Sequence, residues 1–326
     1  MDVTSASRIR ALIRRFANPC RLHQRFQFKA AVLAALLSGA IIMTVTTHAD
    51  AASKPMWTPL AIPAQAPARE ATADLPGTKL WYSDTGGNGP AVVLLHAGTG
   101  SAAFWVYQQP VLAKAGYRVI AYSRRGHMNS DPGDKDNPGV ASEDLDNLVN
   151  HLGIKRFHAV GLAAGGIVAT DYALSHPDKL ISLTLASTIM GVTDKAYIDL
   201  SNAIRPKIFE QLPPEMQELG PSYRAGNPAG AAAWLELEKK ASIGARVRQK
   251  NANVITWAKV ETIKTPTLLL GGEADLYTPP SMLRLQASHL RHADVVVVSE
   301  AAHAPNWEQP EAFNKALLAF LKKHPK

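Results

Sequence analysis

The chain has 326 residues, enough for one large α/β domain or two small ones, and 46% hydrophobic against 19% charged residues is the make-up of a packed globular core. A net charge of +8 does not make it a nucleic-acid binder: residues 1–51 hold seven Lys/Arg against two Asp, so most of the excess lies there and the rest is an ordinary solvated surface. The single cysteine, Cys20, lies in the same stretch, which excludes disulfides, a thiolate metal centre and a cysteine nucleophile from the body of the chain.

The first 51 residues have the anatomy of an export leader. A basic region ends at Lys29, an apolar run follows from Ala30 to Val45, and Ala49-Asp50-Ala51 fits a small-x-small cleavage site. The apolar run is shorter than the ~20 residues a spanning helix needs. The expectation is therefore a periplasmic or secreted protein, with an uncleaved N-terminal membrane anchor as the alternative. Residues 52–77 are rich in Pro and Ala, which removes donors and blocks helix, and read as a tether or extended arm.

The body then alternates between two periods. Thr78 to Gly86 alternates and ends in Gly-Gly, as an antiparallel strand and turn would. Ala91 to His96 is a continuous apolar run, the mark of a strand covered on both faces. A helical stretch with Trp105 and Leu112 leads to a strand at Tyr117–Ser123, and Ser142–Leu152 reads as a helix capped by Ser142. Phe157–Leu162 is a strand, Ala164–Ser175 a helix stopped before Pro177, and Leu180–Ser187 another strand. From there to about Asn253 the pattern is helical and broken by Pro206, Pro213, Pro214, Pro221 and Pro228. Two apolar strands, "TPTLLLGG" and "ADVVVVS", flank a helix after Pro279-Pro280, and Gln309–Leu321 is helical. Buried strands alternating with helices predict a mostly parallel, doubly wound α/β sheet. The core is 78–187 with 253–326, and 188–252 is an inserted helical cap over the carboxyl ends of the strands, where such sheets bind ligands.

One junction carries chemistry. Gly161-Leu162-Ala163-Ala164-Gly165 has the spacing of G-x-S-x-G, the strand-to-helix turn that presents a nucleophilic serine, but the central residue is Ala163. Other segments fall into the same frame. From about Thr78 onward the chain resembles the α/β-hydrolase superfamily, in its cap-bearing form. "LLHAGTGSAAFW" resembles the His-Gly-x oxyanion loop, with Ala97 in place of the usual Gly. "YSRRGHMNSD" resembles the Asp-x-Arg-Gly-x-Gly-x-Ser-Asp loop, with Ser123 and Met128 as departures. "LLLGGEADLYTPP" resembles the loop of the catalytic acid, which falls on Asp275, and "AAHAPNWEQP" that of the catalytic histidine, which falls on His303. The order elbow, acid, histidine is the family's. The resemblance implies an α/β-hydrolase fold, a small-molecule substrate, no cofactor and no metal, with Gly98 and Ala164 supplying the oxyanion-hole N–H groups.

Three accounts of Ala163 remain open. The protein is an enzyme in which His303, oriented by Asp275, acts as general base in ester, lactone or C–C bond chemistry; it is a non-catalytic ligand-binding homologue; or it is an engineered Ser-to-Ala knockout. Retention of both Asp275 and His303 favours the first over the second. No Asp stands at the elbow, which disfavours the dehalogenase and epoxide-hydrolase versions. Ser123 and Ser187, at strand ends, read as turn or capping hydroxyls. His96 is expected to brace the oxyanion loop, and Arg124–His127 to be a solvated or loop-bracing cluster. Trp307 is expected at the pocket floor or in the core, and Asn306 and Glu308 to fix the final helix. The apolar cap residues Ile198, Leu200, Ile204, Ile208, Phe209, Leu212, Trp234 and Leu235 suggest a small to medium, largely apolar substrate.

Overall fold

The computed structural model describes residues 60–242 and 248–325, which belong to one compact unit. The expected leader, its cysteine and the start of the tether lie outside the described residues. No helix among those described is long and apolar enough to cross a membrane.

Eight strands form one sheet: β1 (Arg69–Leu75), β2 (Thr78–Asp84), β3 (Ala91–Leu95), β4 (Arg118–Tyr122), β5 (Phe157–Leu162), β6 (Leu180–Ala186), β7 (Thr267–Gly272) and β8 (Ala293–Val298). Their order is β1-β2-β4-β3-β5-β6-β7-β8. The pairings β1–β2 and β2–β4 are antiparallel; every other pair is parallel. The continuous apolar runs fit this placement. On β3, Val93 and Leu95 join one core layer with the helices Ala141–His151, Ala164–Ser175 and Pro280–His289, while Val92 and Leu94 join the opposite layer with Leu112 and the helix Pro310–Lys323. Because β3 to β8 run parallel, their carboxyl ends lie along one edge, and the loops there come together from distant parts of the sequence.

The cap is helical, with segments Lys195–Ile204, Pro214–Glu218, Pro221–Gly226 and Pro228–Ala241. Its prolines do more than interrupt. Pro214, Pro221 and Pro228 each stand at the first turn of a helix, where the missing N–H costs nothing. Of the cap residues expected to be apolar lining, Phe209 and Trp234 are buried, whereas Ile198, Leu200, Ile204 and Ile208 are exposed.

Two local expectations are corrected. The tether does not extend to residue 77, because Arg69–Leu75 pairs along its whole length with β2. Its sequence, REATADL, hides this: Ala, Glu and Asp are poor strand formers, and the pairing is what makes it a strand. Residues 60–66 do lie as an arm. The Tyr107 hydroxyl donates to Leu60 O at 2.9 Å, and Gln109 both accepts from Ala66 N–H and donates to Ala66 O. Ser142 does not cap its helix, which begins at Ala141 after an extended Val140. The Ser142 hydroxyl instead donates to Asp171 at 2.6 Å, and Asp171 also accepts from the backbone of Ala252 and Asn253, fastening the end of the cap segment to the core.

Candidate active site

The turn after β5 keeps the geometry that its glycines predict. Ala163 has φ 50° and ψ −113°, a left-handed backbone that side-chain-bearing residues rarely adopt, and its N–H donates to Ala186 O at 2.9 Å. The close approaches require glycine. A Cβ on Gly161 would stand 2.5 Å from Gly165 O, and one on Gly165 would stand 2.2 Å from Leu95 O. The strained turn is thus built in full around a methyl group. The helix Ala164–Ser175 starts immediately after it, so the Ala164 N–H lies in a first turn, where N–H groups have no intrahelical partner.

The loop after β3 faces that helix start: a Cβ on Gly98 would lie 3.6 Å from Ala164 Cβ. The peptide carrying the Gly98 N–H is held from its other side. Its carbonyl, Ala97 O, accepts from His96 Nδ1 at 2.7 Å, Gly100 N–H at 3.1 Å and Arg124 Nη2 at 3.3 Å. In a trans peptide the N–H points opposite to the C=O, so fixing the carbonyl fixes the direction of the Gly98 N–H. His96 has one workable tautomer here. Its Nε2 accepts from Arg124 N–H at 2.9 Å, so the proton sits on Nδ1. Ala97 in place of glycine leaves this arrangement intact. The neighbouring basic cluster is braced rather than solvated: Arg125 is buried in a two-bond pair with Asp144, 2.7 Å for each contact.

The acid and the histidine come together across two loops. The loop after β7 and the loop after β8 are joined by Glu273 N–H to Val298 O and Ala274 N–H to Ala301 O. His303 Nδ1 then lies 2.9 and 3.0 Å from the two Asp275 oxygens. Asp275 Oδ1 also accepts from the N–H groups of Tyr277 and Thr278, and Oδ2 accepts from the Thr278 hydroxyl at 2.7 Å. Burial works to push Asp275 up, but the His303 charge and these bonds outweigh it and hold the carboxyl below the ordinary range. Burial works to push His303 down, and the Asp275 carboxylate, joined by Glu218 whenever that carboxyl is ionised, outweighs it and raises the imidazole. With Nδ1–H committed to Asp275, Nε2 carries the lone pair, and no hydrogen bond from the described residues reaches it.

Glu218 was not singled out in the sequence. It ends the cap helix Pro214–Glu218 and is 6% exposed. Its carbonyl accepts the His303 N–H at 3.0 Å, and its Oε1 accepts the Thr99 hydroxyl at 3.3 Å, next to Gly98. Burial pushes this carboxyl up, partly countered by the His303 charge. Glu308, expected to fix the final helix, makes its bonds elsewhere. It accepts from Ala302 and Ala304 N–H in the histidine loop and from Gly220 N–H in the cap, tying the two together, and burial pushes it up to about 8. Nothing in the spacing of these two glutamates separates them from surface residues of a polar helix. Trp307 is a packing residue, buried against Phe104 and Tyr107 beneath the cap. Ser123 and Ser187 are both fully buried. A cleft of about 800 Å³ lined by Arg156, Lys264 and His324 opens at the amino ends of the strands, the edge opposite this site.

Comparison with known proteins agrees with this fold. The profile of the alpha/beta hydrolase family matches residues 92–316. The chain is 28% identical over 273 residues to a 2-hydroxy-6-oxononadienedioate/2-hydroxy-6-oxononatrienedioate hydrolase of Burkholderia vietnamiensis, covering 76% of this chain and 93% of that one. It is 25% identical over 240 residues to 3-oxoadipate enol-lactonase 1 of Acinetobacter baylyi, covering 72% and 90%. Among solved structures, the enol-lactonase from Burkholderia xenovorans LB400 superposes with a TM-score of 0.60 at 24% identity, over 77% of this chain and all of that one.

Proposed function

Because the chain belongs to the alpha/beta hydrolase family, whose members similar to it are named hydrolases of small molecules, we propose that it hydrolyses a small, largely apolar ester, lactone or carbon–carbon-bond substrate without a covalent serine intermediate. His303 Nε2 takes a proton from water as the water oxygen bonds to the substrate carbonyl carbon. The N–H groups of Gly98 and Ala164 meet the negative charge that develops on the carbonyl oxygen. The bond to the leaving group then breaks, and the leaving group is protonated.

The observation that carries this reading is the His303–Asp275 pair, with Nδ1–H bonded to the carboxylate and Nε2 unbonded, together with an elbow kept in its strained form. A pocket that only binds a ligand has no use for an imidazole whose tautomer is set in this way. Magnitudes agree. A positioned general base contributes roughly 10²–10⁴-fold, and an oxyanion-hole donor roughly 10²–10³-fold, so the surviving parts suffice for turnover without the hydroxyl.

The test is a panel of esters, lactones and diketones offered to the purified protein and to His303→Ala. Turnover lost in His303→Ala supports the proposal. Equal turnover in both removes His303 from the chemistry. An inert parent that binds panel compounds, with affinity unchanged in His303→Ala, establishes the ligand-binding homologue instead.

A further inference from the structure

We propose that Glu218, brought in by the cap, is the general acid of this site and gives the leaving group its proton while His303 takes one from water. This rests on the hydrolytic reading above and assigns the step that reading leaves open.

A cap is the part of such a protein expected to shift, yet the segment Glu218-Leu219-Gly220 is pinned on both sides of the acid. Ahead of it, the Glu218 carbonyl accepts the His303 N–H. Behind it, the Gly220 N–H donates to Glu308 Oε2 at 2.7 Å, and Glu308 in turn holds the backbone of Ala302 and Ala304 on either side of His303. The approach is close enough that a Cβ on Gly220 would stand 2.9 Å from that Glu308 oxygen. Glu218 and His303 are therefore mounted on one frame and keep their relation however the rest of the cap behaves.

The carboxyl is also directed. Oε1 takes the Thr99 hydroxyl, one residue from the oxyanion donor Gly98. No hydrogen bond from the described residues reaches Oε2, and it is not among the fully sealed polar atoms without a partner. One oxygen is thus anchored beside the place where the substrate carbonyl oxygen would rest, and the other is left for a ligand. An anchored, nearly buried carboxyl without a cationic partner of its own is poorly suited to being an ion. The charged or titratable groups that bear on it are His303, Asp275, Tyr277 and Glu238. The first is the base itself and the others are acids, so Glu218 holds its proton more firmly than an ordinary glutamate. That is what an acid catalyst needs near neutral pH.

The reaction balances without another reagent. For an ester, water loses a proton to His303 Nε2 and its oxygen bonds to the acyl carbon. The C–O bond to the alcohol breaks, and Glu218 passes its proton to the departing alkoxide. The imidazolium then returns its proton to the Glu218 carboxylate through water, and acid and alcohol are released.

The experiment compares two butyrate esters that differ in their need for that proton, ethyl butyrate by pH-stat and 4-nitrophenyl butyrate by absorbance, on the parent and on Glu218→Gln. Gln keeps the size and the Thr99 contact but cannot deliver a proton. Ethyl butyrate turnover should fall at least about 10²-fold. 4-Nitrophenyl butyrate, whose leaving group departs as an anion, should change only a few-fold. In the parent, ethyl butyrate turnover should also decline at alkaline pH where nitrophenyl ester turnover does not, a readout that survives if the variant fails to fold. An equal loss on both esters, or none on either, overturns the role of Glu218 while leaving the hydrolytic reading in place. Loss of activity in His303→Ala shows that the hydrolytic reading still holds, and a parent inert toward both esters overturns the two together.

Discussion

Replacing Asp275 by Asn tests the candidate pair through the tautomer of His303. The outcome follows from the bonds Asp275 makes. Oδ1 accepts two backbone N–H groups, from Tyr277 at 2.7 Å and Thr278 at 3.0 Å, so in the variant the amide oxygen must take that place. The amide nitrogen then falls at Oδ2, 2.9 Å from His303 Nδ1, while the amide oxygen at Oδ1, 3.0 Å from it, is already taken up by those two N–H groups. Two N–H groups cannot face each other at that distance, so the imidazole gives up its Nδ1 proton and carries one on Nε2 instead. There it is a donor toward the site and no longer a base. The same exchange in a serine protease triad lowers kcat about 10⁴-fold, and the expected loss here is 10³–10⁴-fold, or about 4–5.5 kcal/mol of barrier. The measurement is kcat/KM on the best ester of the panel, with circular dichroism and thermal melting to show that the fold is retained. A folded Asp275→Asn that keeps more than a tenth of parental activity would refute the reasoning.

Three further outcomes are expected. Ala163→Ser should yield an acyl-protein adduct with 4-nitrophenyl butyrate, seen by mass spectrometry, since the elbow backbone is already in place; a variant inert to every activated ester would mean the hydroxyl does not meet His303. Activity should rise with pH through the raised His303 value, above the ordinary ~6.5, because neutral imidazole is the working form; the pair's stability contribution behaves oppositely, being lost from His303 as pH rises through that value and from Asp275 as pH falls through its depressed one, so melting temperature should peak below the activity optimum. Export predicts that protein isolated from its native host begins near Ala52, and a cytoplasmic full-length chain would end that idea.

How much of this could be read from the sequence depended on whether a residue acts through its neighbours in the chain or through distant ones. The apolar runs of β3, β5, β6 and β7 announced themselves because strands covered on both faces need no alternation. The elbow was legible because the constraint is local, with glycines two residues to either side of Ala163. β1 was not, since Arg69–Leu75 is a strand only through its pairing with β2. Ser142 misled for a related reason: its hydroxyl has a stronger partner in Asp171, 29 residues away, than the helix end it was assigned to. Glu218 was illegible, because its partners Thr99 and His303 are brought to it only when the cap folds over the strand ends, and the tie of Glu308 to Gly220, 88 residues away, was hidden for the same reason.

On the proposed reading, the nucleophile is the part that such a site can do without. A serine at the elbow would attack the substrate directly, but an alanine there leaves the oxyanion donors and the base in position, because neither is held by a hydroxyl at that place. The Gly98 N–H is aimed by His96, Gly100 and Arg124 gripping the preceding carbonyl. His303 is aimed by Asp275 from one side and by the Glu218 carbonyl from the other. Each of these supports is a bond to backbone or to a buried carboxyl, and each would be as useful to an attacking water as to an attacking serine. The same supports that serve a serine hydrolase would serve a water-activating one, and under the proposal above it is the cap carboxyl, not the elbow, that would set which leaving groups it releases.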